Sequence, residues 1–223
     1  MSNPWLSIPL EDYEGHMRSA GVRQLPVLAE FFKCALDRCL PESVAVLGIA
    51  GGNGLEEIDC AVTKRIVGVD VNQQYLDEVQ RRFGTLPGLE LHCRDLAEPG
   101  FRLAPVALVH AALIFEHVGL GIALENALSL VAPGGRFSAV LQLPSEADIA
   151  REIGHDVDPD AIAAARNQIR ARIAERVGGR LAGLVDRLKS DAPYAPDAAS
   201  AGRRALANAA LDLMVADGDS AAI

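Results

Sequence analysis

Val44-Ala-Val-Leu-Gly48-Ile-Ala50-Gly-Gly52-Asn-Gly54 decides how this chain is read. Four β-prone apolar residues run straight into a glycine-rich turn, as a buried strand does when it ends in a ligand-binding loop. Glycine lets such a turn fold back tightly and approach a bound molecule, and a following helix would offer its unpaired N–H groups. Arg65-Ile-Val-Gly-Val69 is a second strand, and it ends in Asp70, sixteen residues beyond Gly54. A doubly wound fold places an acid near this spacing to grip ribose hydroxyls. The two signals together predict a nucleotide-cofactor loop. Asp70 also suits an N-cap for a helix starting near Gln73.

The rest of the first 142 residues alternates strand and helix. Val27, Leu28, Phe31, Phe32, Ala35 and Leu36 recur at helical spacing and predict a helix over about 24–39. Helices are also expected over 56–62, 73–83 and 122–131, the last leading into the turn Ala132-Pro-Gly-Gly135. Leu89–His92, Pro105–His110 and Gly135–Gln142 are strand candidates, making five strands in all. This pattern predicts an α/β fold, a Rossmann-like, mostly parallel sheet flanked by helices. Beyond Leu143 the texture changes to an all-helical appendage. Asp158-Pro159 is a helix start, Gly178-Gly179 a break, 191–197 a loop, and Ala198–Met214 a further alanine-rich helix. The division is therefore 1–142 and 143–223.

Composition narrows the function. Half of the 223 residues are apolar, enough for a substantial core, and the formal net charge is −9. That balance argues against nucleic acid as a partner, since phosphate neutralisation needs clustered Lys and Arg. The pairs Arg81-Arg82 and Arg203-Arg204 read first as solvated helix faces. Cys34, Cys39, Cys60 and Cys93 have no zinc-ligand spacing and read as buried thiols in a reducing compartment. Neither a secretory leader nor a membrane span is legible, so no membrane partner and a cytoplasmic location are expected. No metal site is expected.

The glycine run also satisfies G-x-x-x-G-x-G, the pattern of a nicotinamide-dependent reductase. Such an enzyme needs a Tyr-x-x-x-Lys acid/base pair, and none of Tyr13, Tyr75 or Tyr194 has Lys four residues later. Taken together, Gly48–Gly54, Asp70, Cys93-Arg-Asp95-Leu96, Phe115-Glu116-His117-Val118 and Ala132-Pro-Gly-Gly135 resemble class I S-adenosylmethionine-dependent methyltransferases over roughly residues 1–142. The resemblance implies S-adenosylmethionine as cofactor, held by Gly48, Ala50, Gly52 and Gly54, with ribose on Asp70 and adenine beside Asp95 and Leu96. Gly48 stands where that family usually has an acid, and Ala50 where it has its first glycine. Loss of the acid removes a partner for the cofactor's charged end, and Ala50 is tolerable if its φ stays negative.

The activity implied is methyl transfer to a small-molecule acceptor. His117 is the candidate base by its near-neutral ordinary pKa, and Tyr13 and His16 are candidates for a lid over the cofactor. Asp95 has an alternative as a turn cap, and Glu116 and His117 as solvated residues at a helix start. His92 and His110 read as core histidines rather than catalysts.

Leu143-Pro-Ser-Glu146, Asp158-Pro-Asp-Ala-Ile162 and Tyr194–Asn208 resemble a part of the zinc aminopeptidase N family downstream of its catalytic domain. H-E-x-x-H is absent, so no peptidase chemistry follows. The helices' apolar seam needs a partner, either the first domain or a second copy in a homo-oligomer. The change of texture at Leu143–Glu146 reads as the junction of a chimera, which would leave Gly135–Gln142 at a sheet edge. The competing reading is a catalytically silent nucleotide-fold domain fused to a helical interaction fragment.

Overall fold

β-Branched and apolar runs build the strands β1 (Ser43–Leu47), β2 (Arg65–Asp70), β3 (Leu89–Cys93), β4 (Val106–Ala112) and β5 (Val131–Val140). They form one parallel sheet in the order β3-β2-β1-β4-β5. The computed structural model describes residues 3–19, 22, 24–142, 144–189 and 198–216. It divides into two units, Met1–Gln142 and Leu143–Ile223.

In the first unit, strand alternation sends two sets of side chains to opposite faces of the sheet. Val44, Val46, Ile66 and Leu108 pack with Phe32 and Leu36 of α2 (Gln24–Cys39) and Leu76 and Val79 of α3 (Gln73–Phe83). Ala45, Leu47, Val67, Val69, Val109 and Ala111 pack with Phe115 of α4 (Phe115–Val118) and Ala123 and Ala127 of α5 (Ile122–Ser129). A further helix, α1 (Leu10–Arg18), precedes them.

Three expectations are corrected. The helix expected over 56–62 is a 3-10 turn, Leu55–Glu57. Ile58 is extended after it, and Asp59 closes the next turn by accepting from Ala61 N at 2.7 Å. The strand expected from Gly135 begins at Val131, because Val106 pairs Val131 while Leu108 pairs Arg136, and the intervening residues are taken up in a bulge. The cysteines are free but not buried: Cys34 and Cys93 are exposed, Cys39 and Cys60 partly so. β5 lies at the sheet edge, as expected for Gly135–Gln142.

The second unit is helical in its described residues: α6 (Glu146–Ile153), α7 (Pro159–Leu188) and α8 (Ala198–Ala216). Ser145 and Asp148 form a reciprocal capping box that starts α6, and Asp158 Oδ1 accepts from Asp160 N and Ala161 N to start α7. α7 runs unbroken through Gly178-Gly179. Two glycines cost about 1 kcal/mol each against alanine, and α7 packs along α8, which supports a helix that propensity alone would weaken. The loop expected over 191–197 lies outside the described residues. No helix among the described residues is long and apolar enough to cross a membrane.

Candidate functional site

The site is assembled where β1 and β2 end. Gly48 N and Ile49 N both donate to Val69 O, at 2.8 and 3.1 Å, which stitches the start of the glycine loop to the end of β2. Asp70 is thereby set beside the loop. Its Oδ2 accepts from Ala50 N at 2.9 Å and its Oδ1 from Asn72 N at 2.9 Å. The residue is only 8% exposed. Burial raises its carboxyl above the usual range, opposed by the backbone N–H groups of Asn72, Ala50 and Val71. Asn72, not Asp70, is the N-cap of α3, accepting from Gln74 N at 2.9 Å.

Ala50 does not keep a negative φ; it sits at +45°, in the left-handed region. The reason is the bond from its own N–H to Asp70, made as the loop reverses. An L-residue there is disfavoured by about 1–2 kcal/mol, while glycine adds about 0.4–1 kcal/mol of unfolded-chain entropy. Ala50→Gly is therefore expected to stabilise the chain by about 0.5 kcal/mol in urea unfolding. Destabilisation by about 1 kcal/mol would contradict a left-handed Ala50.

No α-helix N-terminus follows the loop to offer free N–H groups, because the segment is the short 3-10 turn and Glu56 Oε2 already accepts from Gly54 N at 3.0 Å. Gly52, at φ +83°, admits no side chain, since a Cβ would come within 2.8 Å of the Phe83 ring. Gly51 is required by close approach, since a Cβ there would overlap Glu14 Oε1.

The N-terminal segment is pinned over this region. Asn72 Nδ2 donates to Trp5 O at 2.8 Å and Tyr75 Oη to Ile8 O at 2.9 Å. Trp5 packs edge-on against Tyr13 at 5.7 Å and against His117 at 4.6 Å between ring centroids, and Tyr13 stacks on Tyr75 at 6.5 Å. Burial, reinforced by Tyr75, Asp70 and Glu14, pushes the Tyr13 hydroxyl up to about 12, so it stays protonated. His16 is on the exposed side of α1 and is not brought to the loop.

His117 is exposed over part of its ring, with the rest against Trp5. That partial burial lowers its pKa, and Glu116 opposes the shift. Asp95 is exposed and its Oδ1 accepts from Ala97 N at 2.8 Å, closing a turn after β3. The Leu96 side chain, 3% exposed, belongs to the core, and its carbonyl accepts from Asn126 Nδ2 at 2.8 Å.

A small, open cleft of about 50 Å³ runs from the loop toward α2 and β4, with Tyr13, Glu14, Leu28, Phe32, Ala50 and His110 among its walls. Asp70, Asp95 and His117 are not among them. Two of its polar residues had no functional role in the sequence reading. Glu14 arrives on α1, a helix whose polar composition hides it, although Leu10, Tyr13 and Met17 do follow helical spacing. His110 is a buried strand histidine as expected, yet it forms part of the cleft wall. Arg82 is exposed, as expected of a solvated helix face, and it also reaches the loop: Nη1 donates to Glu14 Oε1 at 2.5 Å and to Gly51 O at 3.2 Å.

The complex described as DhpI-SAM-HEP superimposes with a TM-score of 0.51 at 17% identity, covering 67% of this chain and 68% of that one. The N-methyltransferase NodS from Bradyrhizobium japonicum WM9 gives 0.47 at 16% identity, covering 62% and 78%. The family described as a domain of unknown function (DUF3458_C) with ARM repeats matches residues 127–223, so the match begins in α5 and includes β5. Aminopeptidase N of Caulobacter vibrioides (strain ATCC 19089 / CIP 103742 / CB 15) is 42% identical over 96 residues. Those residues are 43% of this chain but span only 11% of that relative's length. The first unit thus has the fold of class I S-adenosylmethionine-dependent methyltransferases, and the C-terminal part of the chain is similar to a segment of aminopeptidase N.

Proposed function

We propose that the chain is a cytoplasmic S-adenosylmethionine-dependent methyltransferase acting on a small molecule. The observation that carries this reading is the buried Asp70 carboxylate, held 2.9 Å from the N–H of Ala50 in the glycine loop, beside a cleft. A carboxylate so placed has lone pairs left for two ribose hydroxyls. Gly48, Ala50, Gly52 and Gly54 would shape the cradle, and Asp95 with the backbone of Leu96, whose side chain lies in the core, would flank adenine. When bound, the cofactor supplies a methyl group already activated by its sulfonium.

The protein's part is alignment and exclusion of water. Trp5, Tyr13 and Tyr75 cover the site with an aromatic layer, and the protonated Tyr13 hydroxyl holds no charge there. His117, kept neutral at pH 7 by partial burial, takes the proton that an amine or hydroxyl acceptor must lose.

The test is the melting temperature of the full chain with S-adenosylhomocysteine beside NADH. A ligand that binds only the folded state stabilises it by about 2.7 kcal/mol at one hundred times its dissociation constant. S-adenosylhomocysteine alone is expected to raise the melting temperature, and Asp70→Ala to diminish the rise. No shift with S-adenosylhomocysteine, or a shift with NADH instead, overturns the reading.

The similarity of the C-terminal part to aminopeptidase N favours a second reading, a silent nucleotide-fold domain carrying a helical interaction fragment that self-associates. Concentration-dependent association that is lost on deleting 143–223, with no ligand-induced shift, would select it.

A further inference from the structure

The two edges of the sheet are built differently. β3, at one edge, carries Glu90 and His92, and Arg65 of β2 donates from Nε and Nη2 to the two Glu90 oxygens at 2.9 Å each. Charge on an edge strand deters pairing with another chain. β5, at the other edge, has such protection only in its first half, from Pro133, the bulge and Arg136. From Phe137 to Gln142 the chain reads Phe-Ser-Ala-Val-Leu-Gln, without a charge, a proline or a glycine. That is the composition of a segment that pairs with a further strand. Ala139 is exposed, and Leu141 is 59% exposed.

Backbone alternation fixes what this edge offers. Val140 O accepts from Leu113 N at 2.9 Å and Gln142 N donates to Glu116 Oε1 at 2.6 Å, so the even-numbered residues turn their backbone groups inward, toward β4 and α4. Phe137, Ala139 and Leu141 therefore turn N–H and C=O outward, and no strand or loop among the described residues pairs them.

An occupant must match these three outward residues. A second copy running antiparallel does so about a twofold axis at Ala139, where Ala139 faces its counterpart and Phe137 faces Leu141 of the other copy on each side. Outward residues then meet outward residues at every step and exchange about six backbone hydrogen bonds. The side chains agree with this register. On the face where Phe137 lies beside Phe115, small Ala139 stands at the axis and the apolar Phe137–Leu141 pair repeats about it. On the opposite face Arg136 meets Gln142 of the second copy and Ser138 meets Val140, so no like charges oppose each other although the chain carries −9.

We propose that β5 is a homodimerisation edge, pairing antiparallel with β5 of a second copy about an axis at Ala139, so that one sheet continues through both copies. The pairing requires neither the cofactor reading nor the helices of the second unit.

The experiment is sedimentation velocity of the full chain from micromolar to submillimolar concentration, with circular dichroism confirming that each variant is folded. Wild type is expected to form a concentration-dependent dimer. Ala139→Lys sets two like charges opposite each other at an exposed position, and it should weaken association about tenfold, as should Ala139→Glu. An equimolar mixture of the two should dimerise again, because Lys then faces Glu across the axis. Ala139→Thr adds no charge and should leave the dimer intact. Leu141→Lys, at a more exposed position, is a second variant expected to weaken it. A wild type that stays monomeric overturns the proposal. So does a dimer that survives both Ala139→Lys and Leu141→Lys, which would place association on another surface such as the second unit's helices. A mixture of Lys and Glu variants that remains monomeric overturns the axis at Ala139 and the proposal with it.

Discussion

Phe32→Ala is expected to lower the unfolding free energy of the first unit by about 3–5 kcal/mol, the usual range for truncating a buried aromatic ring. Phe32 is 2% exposed, packs with Leu36, Val44 and Leu108, and lies 4.7 Å from the His110 ring between centroids. A Cβ at Gly54 would come within 2.9 Å of its Cδ1, so the ring also supports the loop from beneath. Its neighbours sit on hydrogen-bonded strands and a tight turn, which limits how far they can collapse into the cavity. Urea unfolding followed by Trp5, the single tryptophan of the chain and a residue of this unit, reports the loss. Phe31→Ala, one residue away but 43% exposed, is the control and should change stability by no more than about 0.5 kcal/mol. Equal effects at the two positions would contradict this orientation of α2.

Acidification should destabilise the same unit, by roughly 3 kcal/mol through His110 alone. The ring falls from 6.5 to about 4 on folding because burial opposes its charge. As pH drops below 6.5 the unfolded chain takes up this proton first, so the contribution is full above 6.5 and is lost progressively toward 4. Asp70 works in the other sense. Its raised carboxyl keeps a proton to higher pH in the folded state, so its contribution is present at low pH and lost as pH rises. Comparing wild type with His110→Phe removes Asp70 and the surface carboxylates from the difference. The stability difference between the two should vary with pH across the 6.5 to 4 interval, and a pH-independent difference would refute the buried neutral imidazole.

The glycine loop, the strand ending in Asp70 and the helix over 24–39 were legible because each rests on local periodicity or turn chemistry. The crossover after the loop was misread as helix because Glu56–Val62 has helical composition, whereas Asp59 offers its side chain to the backbone and closes a turn instead. α1 was missed because its face is mostly polar, and Glu14 with it, since burial of a carboxylate depends on arginines distant in sequence such as Arg82. His110 was read correctly as buried, but the cleft beside it is made by residues from α1, α2, β1 and β4 that no local window contains.

The amino-acid order by itself determined the fold class, the position of the loop, the acid at the end of β2 and the change to helical texture after Leu143, because apolar period and turn residues act over a few neighbours. Tertiary structure alone decided that Ala50 turns left-handed, that Asn72 caps α3 and frees Asp70, and that Glu14 and His110 share one cleft. The reason is physical. Backbone strain, cap identity and buried polar pairing depend on which groups meet across the fold and lose water together, and that meeting is made only when the sheet and its helices close.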